Sequence, residues 1–160
     1  MAEYVAVAPA PPLALELTVS IQNCNSLNLT TNIRSYELKI AAIKSLNTDI
    51  IFLSDTRLFI RKGVSGTKRL KDSMRDAKGK KYDVFTNSKS NSRGVAILID
   101  TAMGIIPQET FMDPEENFLF LKIEITGTPV LLGSVYGPNN TGRDFSAELM
   151  ILYAEIKTVK

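Results

Sequence analysis

Two apolar runs in the first third of the chain each end on a group suited to meeting a metal ion or a phosphate. One opens at Leu15 and closes on the amides Asn23 and Asn25; the other, residues 49–53, closes on the carboxylate of Asp55. Mg²⁺ prefers oxygen ligands and commonly takes only one or two carboxylates, with water and substrate phosphate completing its shell, so one carboxylate near an amide is a sensible donor set. Residues 136–139, Tyr-Gly-Pro-Asn, bring a phenol at Tyr136 and an amide at Asn139. Arg93 stands ahead of an apolar run and Arg143 follows the Pro-Asn loop; either can reach phosphate. Each group also has a plainer role open to it. Asparagines favour turns and helix caps, Asp55 can cap a turn or pair with Arg57, and Tyr-Gly-Pro-Asn makes a good turn with its tyrosine in the core. Either arginine can be an ordinary surface residue.

For these groups to meet, the chain between them must fold back. An amphipathic helix is expected at residues 33–46, where Tyr36, Ile40, Ile43 and Leu46 recur at helical spacing while Arg34, Lys39 and Lys44 face away. Strands joined by a crossover helix lie parallel with their carboxyl ends side by side, and open α/β sheets bind ligands there. Asn23 and Asp55 are thereby expected at one end of one sheet. Strands are expected at 15–22, 49–53, 82–86, 94–99, 118–125 and 130–136, from β-branched and aromatic residues bounded by Asn, Gly and Pro. A weaker helix is expected at 67–77 and another at 144–158, where Phe145, Leu149, Leu152 and Ile156 share a face. The runs IIFL, VAILI and LLGSV are apolar at successive positions, which asks for burial on both faces of each strand. Helices can cover one face; a second layer must cover the other.

Two more segments, SRGVAILI at 92–99 and SVYGPNNTGRDF at 134–145, complete a pattern. With the strand that ends at Asn23 and the run LSDTRL around Asp55, they give four motifs in order. From Leu15 onward the chain resembles the endonuclease/exonuclease/phosphatase superfamily, and within it the endonuclease domain of non-LTR (LINE-type) retrotransposons. The resemblance implies an α/β fold of the DNase I-like kind, a four-layered α/β sandwich in which a mixed sheet is flanked by helices and packs face to face on a second sheet. It implies DNA as substrate, phosphodiester hydrolysis, and Mg²⁺ or Mn²⁺ as cofactor.

Asp55 stands where the family has its metal-binding Glu, one methylene longer. Asn23 matches the asparagine that orients metal-bound carboxylate and phosphate, and Asn25 falls where relatives carry Asp or Asn near the metal. Tyr136 and Asn139 match the pair that contacts the scissile phosphate, the phenol donating to a non-bridging oxygen as charge grows there. Family members continue through an Asp-x-Asn loop and a terminal Ser-Asp-His, whereas this sequence stops at Lys160 and holds no histidine. The resemblance therefore implies an incomplete sandwich, a partial domain over residues 15–160. It also implies weak or absent activity, since losing one general acid or base typically costs about 10²–10⁴-fold. Two other forms of the fold stay open: a noncatalytic nucleic-acid-binding remnant, and a structural one whose open sheet is covered by a second chain or a carboxyl-terminal region.

Composition agrees with one soluble domain. The 160 residues are 44% hydrophobic and 22% charged, enough to bury roughly 70% of the unfolded surface. The formal charge of +2 is too small to argue for nucleic acid, but residues 61–81 hold nine basic against two acidic side chains, a net of +7 that leaves the remainder at −5. Lys68, Arg69 and Lys71 lie at the centre of that block, facing phosphate or simply water. Cys24 is the only cysteine. No intrachain disulfide can form, an intracellular compartment, nuclear or cytoplasmic, is permitted, and with no histidine to make its thiolate it reads as a small buried apolar residue. Residues 1–14 read as a flexible Pro/Ala leader without the basic start and apolar core of a secretory signal. No run reaches about 18 apolar residues, so no membrane span is expected.

Overall fold

The computed structural model describes residues 16–28, 33–61, 63–75 and 79–137; the leader, Asn139, Arg143 and the helix expected at 144–158 lie outside them. The chain runs β1 (Val19–Asn23), α1 (Ile33–Ser45), β2 (Ile50–Ser54), β3 (Ile60–Arg61), β4 (Val64–Ser65), α2 (Gly66–Arg75), β5 (Tyr82–Asn87), β6 (Val95–Asp100), a 3₁₀ turn (Thr101–Met103), β7 (Glu109–Met112), β8 (Phe118–Ile125) and β9 (Thr128–Val135).

β1 and β2 are parallel with Asn23 opposite Ser54, as a strand–helix–strand crossover requires. β6 then pairs antiparallel with both β2 and β5, so the first sheet is mixed, in the order β1-β2-β6-β5. The alternation of side chains along a strand sends residues to two separate cores. Ile51, Leu53, Ala96 and Leu98 meet Tyr36, Ile40 and Ile43 of α1 and Leu70 and Met74 of α2 on one face. Ile50, Val95, Ile97 and Ile99 meet Leu119, Leu121, Ile123 and Leu132 on the other. All six positions of β6 are therefore buried, and each fully buried Ile or Leu there contributes roughly 1.5–3 kcal/mol.

The second layer is the expected second sheet, an antiparallel meander β7-β8-β9 that packs on the inner face of VAILI. It corrects one expectation: that face needs no second chain or carboxyl-terminal region to cover it. β7 escaped the sequence reading because four residues, ETFM, are too short a window for a period to show. LLGSV is a second correction: Leu132 and Ser134 are buried while Leu131 and Val135 are exposed. That run alternates after all, and its outward positions are apolar on an open face. Ser134 tolerates burial because its hydroxyl donates to the Leu53 carbonyl at 3.2 Å.

Coverage stops short of β1, where Val19 is 49% and Ile21 80% exposed. Among the described residues no helix is long and apolar enough to cross a membrane. α1 also departs from expectation in one respect: Lys39 does not face away into water but turns back onto the loop after β1.

Candidate functional site

The ends of β1 and β2 do not splay apart. Past the last strand pair the chains stay hydrogen-bonded, Cys24 N–H to Ser54 O at 2.9 Å, Ser26 N–H to Asp55 O at 2.8 Å and Leu27 N–H to Thr56 O at 2.7 Å. To do this the first chain turns sharply: Asn25 and Ser26 sit at φ 43° and 70°, a region asparagine tolerates better than most residues. Asn23 stabilises the turn by accepting the Asn25 N–H on its side-chain oxygen at 3.0 Å. The ammonium of Lys39 then donates to three successive carbonyls, Cys24 at 3.1 Å, Asn25 at 2.7 Å and Ser26 at 2.8 Å. A cation is thus already built into the strand-end loop. Beside it Cys24 is buried, and desolvation pushes its thiol up to about 12, so it is inert as a nucleophile.

On the neighbouring strand end Asp55 and Arg57 both adopt left-handed backbone, φ 53° and 51°. The backbone there is nonetheless hydrogen-bonded: Thr56 N–H donates to Gly94 O and Arg57 N–H to Arg93 O, each at 3.0 Å, and the Arg57 carbonyl accepts the Phe59 N–H at 3.1 Å. The pair of turns brings the guanidinium of Arg57 onto the Asp55 carboxylate as a two-pronged ion pair, Nε to Oδ1 at 2.7 Å and Nη2 to Oδ2 at 2.9 Å. Asp55 is 4% exposed. The Arg57 guanidinium is held even more firmly protonated than usual, chiefly by those bonds to Asp55.

Gly94 makes the close approach possible. It sits at φ 129°, and a β-carbon there would lie 2.0 Å from the Ser88 hydroxyl oxygen and 2.7 Å from that of Thr56. Ser88 needs that space because its hydroxyl receives the Leu58 N–H at 2.8 Å and the Thr56 hydroxyl at 3.0 Å. The loop after β5 is tied to the loop before β8 by a second set of bonds. Asp113 accepts the N–H groups of Asn117 and Phe118 and the amide of Asn87, while Glu116 accepts the N–H groups of Lys89 and Ser90. Asn117 in turn accepts the Tyr136 N–H on its carbonyl at 2.7 Å and a guanidinium N–H of Arg93 on its side chain at 3.3 Å.

The structure therefore gathers Asn23, Asn25, Asp55, Arg93 and Tyr136 at one end of the sandwich. It does not gather the basic block there as a unit. Lys68, Arg69 and Lys71 lie on α2, and Lys68 pairs with Asp72 at 2.7 Å on the helix surface. Arg75 is paired with Asp83. Lys80 is committed elsewhere, to Asp49 at 2.6 Å and Asp100 at 3.1 Å at the opposite end of the sheet.

Lys39, Asp113, Glu116 and Asn117 were not singled out by the sequence. For Lys39 a signal existed: three residues after Tyr36 and four before Ile43, it lies on the border of the buried stripe.

A divalent cation does not fit this arrangement. Both Asp55 oxygens carry the guanidinium, the carboxylate is almost fully covered, and among the described residues no three acidic, Cys or His side chains converge on a common point.

No protein-family model matches the chain, and no curated protein does. Solved structures do. The crystal structure of D. rerio TDP2 complexed with a single strand DNA product is similar over 90% of this chain and 56% of that one, at a TM-score of 0.57 and 14% identity. C. elegans TDP2 is similar over 88% of this chain and 42% of that one, at 0.54 and 16%. A truncated C. elegans TDP2 is similar over 88% and 55%, at 0.51 and 17%. The likeness gives this chain the DNase I-like fold, and the chain spans about half the length of those proteins.

Proposed function

We propose that this chain is a nucleic-acid-binding unit of the retrotransposon-endonuclease kind, which engages the phosphodiester backbone at the carboxyl-terminal ends of β1 and β2. The observation that carries the reading is the convergence there of Asn23, Asn25, Arg57, Arg93 and Tyr136, donors suited to phosphate oxygens. The D. rerio neighbour, which holds a single strand DNA product, supports the same ligand class. Lys68, Arg69 and Lys71 on α2 would extend the contact by attraction to neighbouring phosphates. Such a ligand implies work inside the cell, in the nucleus or cytoplasm.

Hydrolysis is the second reading, favoured by the placement of Asp55 beside the end of β1. It would need Asp55 released from Arg57, and the sequence offers no histidine as acid or base. At most trace nicking of supercoiled plasmid is expected. Robust nicking that Asp55→Ala abolishes would make the chain a nuclease rather than a binding unit.

The binding reading is tested by oligonucleotide affinity across a range of salt. Affinity should fall steeply with salt and be indifferent to sequence, and reversing the charges of Lys68, Arg69 and Lys71 should lower both affinity and slope. An unchanged slope in that variant would leave α2 an ordinary solvated helix.

A further inference from the structure

Arg57 is held on one side and open on the other. A guanidinium has five N–H donors in a planar fork. Two of Arg57's go to Asp55, and among the described residues the other three meet no partner. The side chain keeps 35% of its surface exposed, against 6% for Asp55. Its plane is fixed by the two-pronged carboxylate, while the backbone N–H of Arg57 on the Arg93 carbonyl at 3.0 Å holds the main chain beneath it. Tyr136 and Arg93 meet at Asn117, which accepts the N–H of the first and a guanidinium N–H of the second, and Arg93, 34% exposed, is itself paired with Glu115 at 3.7 Å.

An arginine whose inner edge is locked by a buried carboxylate presents its outer edge without the loss of side-chain freedom that usually accompanies binding. The outer edge of such a fork matches two oxygens of a phosphate. We propose that Arg57, oriented by Asp55, is the residue that grips a phosphodiester of single-stranded nucleic acid, and that it does so with no divalent cation at Asp55. The inference rests on the nucleic-acid reading above. It inverts the role that the family resemblance assigns to Asp55, from metal ligand to positioning residue, and puts a guanidinium where that resemblance implies a metal.

The test is the affinity of the chain for a short labelled oligothymidylate, measured by anisotropy across salt in EDTA and again in Mg²⁺. Wild type should bind equally in both. Arg57→Gln should lose roughly tenfold in affinity, and its salt slope should fall by about 0.7, one phosphate contact on a single strand. Because that substitution leaves a buried carboxylate unpaired and can unfold the chain, the double variant Asp55→Asn/Arg57→Gln, which removes the charge as well, should show the same two losses in a folded protein. Asp55→Asn alone keeps the cation but frees it, so affinity should drop by about threefold with the slope retained. A purely structural role for Asp55 would not separate affinity from slope in that way. If wild type binds and both Arg57 variants bind equally well, this inference fails while the nucleic-acid reading stands. If wild type does not bind at all, both fail. A gain in affinity with Mg²⁺ that Asp55→Asn abolishes would return Asp55 to the metal and overturn the proposal.

Discussion

The Lys39 ammonium donates to the Asn25 carbonyl at 2.7 Å, and through it α1 holds the loop that carries Asn23 and Asn25 against the sheet end. Hydrogen bonds from a charged donor contribute roughly 1.5–3 kcal/mol, and removing the donor also leaves the Cys24 and Ser26 carbonyls without it. Lys39→Met should therefore lower the urea midpoint by an amount equivalent to about 2 kcal/mol with the m-value unchanged. A variant as stable as wild type would show the three bonds to be incidental.

Gly94→Ala tests the packing behind Arg57. The added methyl group would collide with the Ser88 hydroxyl and strain a backbone at φ 129°, a combination that should cost more than about 2 kcal/mol. Thermal melts would register it, and Gly94→Ala should be worse than Gly104→Ala, where a β-carbon meets nothing within 4 Å. Equal melting temperatures for the two variants would contradict the geometry.

At the far end of the sheet, Asp49 is held below its ordinary carboxylate range, first by its bond to Lys80 and next by Thr18, and Lys80 is raised mainly by the same contact. A depressed carboxylate contributes stability that is present above its unfolded value near 3.8 and lost as pH falls through the folded one. A raised lysine contributes below its unfolded value near 10.5 and loses that contribution as pH rises further. The pair should thus act across the neutral range. Lys80→Met should cost about 1 kcal/mol at neutral pH, and the gap between denaturant melts of the two proteins should begin to close only below about pH 4 and vanish as pH falls through the depressed value of Asp49. A gap that stays constant into acid would mean the pair is not what separates them.

The β1 edge supplies a further expectation. With Ile21 at 80% and Val19 at 49% exposed on an edge strand, the chain offers a surface that other strands or apolar dyes can cover. Wild type should bind such a dye or self-associate with rising concentration, and Ile21→Lys should reduce both. Sedimentation that shows a dye-silent monomer at all concentrations would rule this out.

The parallel pairing that sets Asn23 opposite Ser54 was legible in the sequence, because a strand, an amphipathic helix and a second strand allow little else. The double burial of VAILI was legible too, since an uninterrupted apolar run has no polar face to offer water. That a second sheet covers it followed from the family resemblance and not from the pattern, because β7 spans four residues and β9 disguises its alternation with apolar side chains on its open face. The Asp55–Arg57 pair was one of two readings from residue types alone, and nothing in the spacing chose between them; the choice lies in two left-handed backbone turns that only coordinates reveal. The charge of Lys39 points to water, although the residue borders the buried stripe. Three carbonyls at a strand end reverse that, and carbonyl direction leaves no mark on a sequence.

The most direct measurement is a map of where nucleic acid touches the chain, from amide chemical shifts of ¹⁵N-labelled protein titrated with a short oligothymidylate in EDTA. Shifts should concentrate on Asn23, Asn25, Arg57, Arg93, Asn117 and Tyr136, with a weaker band along Lys68, Arg69 and Lys71. Shifts confined to the opposite end, around Asp49, Lys80 and Asp100, or no shifts at all, would contradict a phosphodiester site at the ends of β1 and β2.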